Sequence, residues 1–170
     1  MTLSVVVGLL GGCVSDSKEK GKNDPLPRMD RSEAKDWARR FTEHVADVMG
    51  VRVNSRNPDV RYVGCIGRDG ESATDSRYKL LYTAWVDLPQ ERHNEAGEKV
   101  RKMFERDGYD VTTFRRYESP NVSMIVEARP KKEGFFISVE SAASGKGFGE
   151  MGIGIDSPCL IPGGVKQEKQ

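Results

Sequence analysis

The sequence predicts an α+β domain: one twisted antiparallel sheet of about six strands with two helices packed on one face, in the order α-β-β-α-β-β-β-β. Three observations carry that expectation. Residues 30–49 and, roughly, 89–107 repeat apolar side chains at helical spacing. Six other segments are short apolar or alternating runs bounded by Gly, Pro, Asn and Asp. The last four of these are joined by short connections, so they should form an antiparallel meander, with the helices segregated to one side. A chain of 170 residues suits one such domain with a single core.

Each element has its own signal. Asp30 is placed to cap the first helix, with Glu33 as its capping-box partner. Ala34, Trp37, Ala38, Phe41, Val45, Val48 and Met49 form the apolar stripe, and Gly50 is the natural stop. Residues 60–66 make the first strand, followed by a turn-rich loop over 67–76. Residues 78–88 make a long strand. Tyr78, Leu80, Tyr82, Ala84 and Val86 share one face, while Leu81 and Trp85 lie on the other, so this strand should be central. Pro89 suits the first position of the second helix, where Ala96, Val100, Met103 and Phe104 point inward and Gly108 ends the run. Residues 109–117, 122–128, 135–141 and 151–155 are the meander strands, and a small-residue loop is expected over 142–149. The globular domain is expected over 30–162, with a polar tail over 163–170.

Composition excludes several classes. The 27 basic and 26 acidic side chains nearly cancel, which argues against a general nucleic-acid binder. Six Phe, five Tyr and two Trp can build a core, so disorder throughout is excluded. No run of 18 apolar residues exists, and hence no ordinary transmembrane helix is expected.

The charges are unevenly placed: none lies in the first 15 residues. Residues 3–10 are apolar apart from Ser4 and Gly8, and Gly11 and Gly12 precede Cys13, the layout of a secretory signal. Leu10-Gly11-Gly12-Cys13 resembles the lipobox of bacterial lipoproteins. That resemblance implies a diacylglyceryl group on the Cys13 sulfur, with Cys13 as the new N-terminus. Two or more acyl chains anchor stably, each buried CH₂ contributing about 0.8 kcal/mol. Residues 1–12 are then a signal peptide. It is short and lacks a preceding Lys or Arg, as a start assigned too far downstream would leave it. Residues 13–29 become the lipidated cysteine and a polar tether, spanning roughly 20–25 Å as a flexible coil. The alternative is a buried strand over 3–10 in a cytosolic protein without lipid.

Three cysteines make an odd count. If Cys13 is lipidated, Cys65 and Cys159 remain, and export would favour a disulfide between them. Closing so long a loop stabilises by about 4–5 kcal/mol in the chain-entropy model. Two separate buried thiols are the alternative. Their wide spacing does not resemble a zinc ligand pair.

Catalytic signals are sparse. His44 and His93 are expected at a boundary or on the surface, neither with a metal-motif partner. Gly145-Lys146-Gly147 lacks the order of a phosphate loop, and Ser144 lacks a nucleophile elbow. Neither a metal nor a cofactor is expected. Glu140, Glu150 and Asp156 lie on strands expected to be neighbours, which keeps carboxylate acid–base chemistry as an alternative. Arg115, Arg116, Arg129, Lys131 and Lys132 are read as one basic sheet end, either a solvated edge or a surface for anionic polymer or lipid headgroups. Aromatics exceed what one helix–sheet interface needs, and Tyr62, Tyr82, Trp85, Arg115 and Tyr117 are the candidate binding surface; core packing is the alternative.

Taken whole, the lipobox, the polar tether, the remaining cysteine pair and the Arg- and Val-rich composition resemble small lipoproteins of actinomycete-type bacteria. The resemblance implies a domain lipid-anchored through Cys13 to the outer face of the cytoplasmic membrane. The expected role is a non-enzymatic domain that binds an envelope protein or a small ligand. An exported carboxylate enzyme and a cytosolic protein are the competing readings.

Overall fold

A computed structural model describes residues 25–66, 70–116, 124–131, 134–144 and 147–169. The elements run α1 (Arg31–Met49), β1 (Asp59–Gly64), β2 (Tyr78–Asp87), a 3₁₀ turn (Gln90–Arg92), α2 (His93–Arg106), β3 (Tyr109–Arg115), β4 (Ile125–Pro130), β5 (Phe136–Ser144) and β6 (Gly147–Asp156). All six strands form one sheet in the order β1-β2-β6-β5-β4-β3, and every pairing is antiparallel. The chain thus builds the expected meander from β3 to β6 and closes it against β2.

Alternation along the strands sorts the side chains onto two faces. Tyr78, Leu80, Tyr82, Ala84 and Val86 of β2 are buried beneath the helices, as are Met151, Ile153 and Ile155 of β6 and Ile137 and Val139 of β5. Both helices cover this face. Val45 and Met49 of α1 meet Val100, Met103 and Phe104 of α2 over the meander. Ala34 and Ala38 of α1 lie against Tyr78, Leu80 and Tyr82. Small residues bring the layers close: a Cβ on Gly97 of α2 would stand 2.5 Å from the sulfur of Met124. Trp37 stacks on Phe135 with ring centroids 4.1 Å apart, extending the core to one end of the sheet.

Several local expectations are corrected. The Asp30 side chain does not cap α1. Its Oδ1 accepts from the Gly163 N–H at 2.9 Å, so a distant backbone donor has displaced the local one. Gly50 does stop the helix, with φ +76°. Pro89 precedes the second helix rather than opening it; its carbonyl accepts from Arg92 N–H to form the 3₁₀ turn, and α2 begins at His93. The loop expected over 142–149 is largely strand, because β5 runs to Ser144 and β6 resumes at Gly147. Tyr117 and Val122 lie outside the described residues, as do residues 1–24, which include Cys13.

Both ends of the described chain are docked. Arg28 bridges Ile161 in parallel, Ile161 N–H donates to Pro27 O at 3.0 Å, and Met29 N–H donates to Ile161 O at 3.1 Å. Paired backbone therefore extends the domain to include residues 27–29, ahead of its expected start at 30. The polar tail is held too. Leu26 N–H donates to Gln167 Oε1 and the Arg77 guanidinium to Glu168 O. Glu168 N–H donates to Asp75. The sulfurs of Cys65 and Cys159 are paired as a disulfide, with Cα atoms 6.0 Å apart. No helix among the described residues is long and apolar enough to cross a membrane.

Candidate functional site

Among the described residues no helix or strand covers the face of the sheet away from the helices, and strand register fixes what lies on it. One row runs Trp85, Gly152, Glu140, Ile125, Arg115 across β2, β6, β5, β4 and β3. A second runs Leu81, Asp156, Phe136 across β2, β6 and β5, with Arg129 of β4 beside Phe136.

These rows do not assemble the expected aromatic surface. Tyr82 faces the helices and is core. Tyr62 also lies on the helix side, its hydroxyl donating to Arg31 O at 2.9 Å. Trp85 is on the uncovered face, with the Arg56 guanidinium 4.9 Å above its ring and paired to Glu150 at 2.7 Å. Arg115 shares its row but stands four strands away, about 19 Å at ordinary strand spacing. Alternation along β2 already separates Tyr82 from Trp85 in the sequence. For Tyr78 and Tyr82 the core-packing alternative holds, since both are buried.

The three carboxylates do not converge. Glu140 pairs with Gly152, which sets it diagonal to Glu150 on the same face, and Glu150 is tied to Arg56; Asp156 lies six residues beyond Glu150 on one strand, about 20 Å away. Among the described residues, no three His, Cys, Asp or Glu side chains are grouped to hold a metal.

His44 is exposed, but His93 is fully buried, which corrects the boundary expectation. Its Nε2 lies 2.8 Å from Leu88 O and its Nδ1 2.8 Å from Ser141 Oγ. A carbonyl only accepts, so Nε2 carries the proton and Nδ1 accepts from the serine hydroxyl. Ser141 Oγ in turn accepts from Met124 N–H at 3.2 Å. Burial pushes the His93 imidazole below its ordinary range and keeps it neutral. This is a satisfied core network.

The basic residues are also divided. Arg115 pairs across from Ile125 at one end of β4, whereas Arg129 lies across from Asp110 at the other. That is four residues, about 13 Å along β4, so Arg115 and Arg116 are separate from Arg129 and Lys131. Antiparallel return carries residues adjacent to one turn away from those adjacent to the next.

At the Arg129 end, four strands and their connections enclose a basin of about 470 Å³. Lys79 of β2, Asp156 of β6, Phe136 of β5 and Arg129 of β4 contribute from the uncovered face; Pro130, Lys131, Gly134, Ser157 and Pro158 complete the rim. The Arg129 guanidinium lies 4.8 Å from the Phe136 ring centroid, which fixes it by cation–π contact. Ser157 Oγ is engaged, accepting from Leu80 N–H at 2.7 Å and donating to Pro158 O at 2.8 Å. The lining therefore offers three cations against one carboxylate, with Phe136 and two prolines as apolar wall. Such a lining suits an anion with an apolar portion. Lys79 could have been placed here by alternation from Tyr78; its meeting with Arg129 depends on β6 and β5 lying between β2 and β4.

No known protein family matches the chain, and neither a curated protein nor a solved structure is significantly similar to it.

Proposed function

We propose that this protein is an exported lipoprotein, anchored by acylated Cys13 at the outer face of the cytoplasmic membrane, whose α+β domain is a non-enzymatic binding module of the cell envelope. The observation that carries the reading is the cysteine arrangement. Cys65 and Cys159 are paired with each other, which leaves Cys13 as the remaining cysteine, directly after Leu10-Gly11-Gly12. A disulfide between distant cysteines fits an oxidising compartment. The uncharged segment ahead of Cys13 fits a lipoprotein signal. The binding role is supported by the basin at Lys79, Arg129 and Lys131, whose lining offers charge and hydrogen-bond donors to an anionic ligand.

Intact mass of the protein from cells tests the anchor. Acylation at Cys13, loss of residues 1–12 and a two-dalton deficit for the disulfide are expected together. In fractionation, the wild type should be recovered with membranes and Cys13→Ala should not. A Cys13→Ala protein retained as well as wild type would overturn the anchor.

A further inference from the structure

We infer that the basin at Lys79, Arg129 and Lys131 takes the phosphate-bearing headgroup of an anionic membrane lipid, and so docks the uncovered end of the sheet onto the membrane that carries the anchor. The inference rests on the lipoprotein reading and adds an orientation and a ligand class to it.

Two independent observations meet at this end of the molecule. The first is charge: three basic side chains and one carboxylate line one basin. Arg129 is held on the Phe136 ring, which leaves the N–H edges of a planar guanidinium to grip phosphate oxygens. Phe136, Pro130 and Pro158 offer an apolar wall to the glycerol and ester region beneath a phosphate. Asp156 can accept from a headgroup hydroxyl, which favours a phosphodiester bearing a polyol over a bare phosphate.

The second is where the chain enters the domain. Residues 27–29 pair with Ile161, and Ile161 follows the basin wall residue Pro158 by three positions. Three residues reach at most about 11 Å, so the entry point and the basin share one end of the sheet. The twelve residues from Cys13 to Pro25 can reach no further than about 43 Å. An acylated Cys13 would therefore hold Pro25, at the end of the sheet that carries the basin, within that distance of the bilayer surface. Arg115 and Arg116, at the other end of β3, provide an internal control of similar charge.

The test uses the full chain carrying Cys13→Ala, so that no acyl chain contributes. Co-sedimentation with vesicles of phosphatidylglycerol mixed into phosphatidylcholine is compared with pure phosphatidylcholine at physiological ionic strength. Each basic residue near an anionic surface contributes roughly a fivefold gain in binding. The mixed vesicles should bind at least about tenfold more tightly. Combining Lys79→Glu, Arg129→Glu and Lys131→Glu should remove that preference, and Arg115→Glu with Arg116→Glu should keep it. Unchanged circular dichroism and an intact disulfide establish that each variant is folded. Equal binding to both vesicles, or equal loss from the Arg115 and Arg116 reversals, would overturn the proposal. Perturbation of backbone amides around the basin by inorganic phosphate, without vesicle binding, would identify a free anion instead and overturn the lipid assignment. None of these outcomes depends on acylation in cells, so failure here leaves the anchor test untouched, and failure of the anchor leaves the vesicle result standing.

Discussion

The Ser141 hydroxyl lies 2.8 Å from Nδ1 of His93, and both residues are enclosed between α2 and the sheet. Every polar atom in the chain from Leu88 O through His93 and Ser141 to Met124 N–H has a partner when the imidazole is neutral. Protonating Nδ1 would turn that acceptor into a donor and leave the Ser141 hydroxyl hydrogen without its partner. Burial lowers the pKa of His93 from 6.5 in the unfolded chain. The unfolded state therefore takes up a proton that the native state refuses. The stability contributed by neutral His93 is complete above pH 6.5 and is lost as pH falls from there through the native pKa. Thermal melts between pH 7.5 and 5.5 should show Tm falling as the solution is acidified. A His93→Leu variant should lose that slope, and the same slope in both proteins would refute the assignment.

Asp75 and Arg77 give a second acid-labile contact in a different window. The Arg77 guanidinium donates two hydrogen bonds to the Asp75 carboxylate, which also accepts from the Glu168 and Arg77 N–H groups. Chiefly through the Arg77 contact, the carboxyl is held at about 2. Since the native value is depressed, its contribution is present above about pH 3.8 and is lost as pH falls toward 2. Asp75→Asn should cost on the order of 1–2 kcal/mol at neutral pH. Because Glu168 hangs on the same carboxylate, amide exchange at Glu168 should quicken in this variant more than in β4 or β5. Unchanged exchange at Glu168 would show that the tail is held by other contacts.

Much of the architecture was legible because it depends on local periodicity. The alternation of Met151, Ile153 and Ile155 with Gly152 and Gly154 identifies β6 without knowledge of its neighbours, and the stripe from Ala34 to Met49 identifies α1. Long-range competition was not legible. Asp30 is a good capping residue locally, but Gly163 N–H, 133 positions away, claims its carboxylate. His93 looks like a helix-start surface residue until β5 places Ser141 above it. The basin was half visible, since Arg129 and Lys131 were singled out as basic. Lys79 was missing because its meeting with them is a property of sheet order, with two strands interposed between β2 and β4.

Gly97 marks the closest approach of α2 to the sheet. A methyl group there would lie 2.5, 3.0 and 3.2 Å from the Sδ, Cγ and Cε atoms of Met124, which is itself fully buried. Helix propensity favours alanine by about 1 kcal/mol, and overpacking in a closed core costs about 1–3 kcal/mol. The steric cost should win, leaving Gly97→Ala destabilised by about 1 kcal/mol or more in urea titration. Met124→Ala removes the obstructing atoms, so Gly97→Ala should be neutral or stabilising in that background. Equal effects in both backgrounds would mean that the contact with Met124 is not what excludes a side chain.

The Cys65–Cys159 disulfide joins the residue after β1 to the segment that follows β6, across a sequence separation of 94. What it secures follows from what surrounds it. The 70–77 loop, the docked tail and residues 25–29 depend on isolated bridges and side-chain hydrogen bonds, whereas β3 to β6 share a continuous ladder and the main apolar cluster. Replacing both cysteines by serine should cost about 2–5 kcal/mol. The loss should be uneven, because opening free energies differ across a structure according to local burial and pairing. Hydrogen exchange in the serine pair should rise first at Met29, Glu168 and Leu160, while Val139 and Ile153 keep protection close to the global limit. If all five amides lost protection equally, the disulfide would be stabilising the domain as one cooperative unit, and the basin, whose wall includes Pro158 beside Cys159, would be as rigid as the meander.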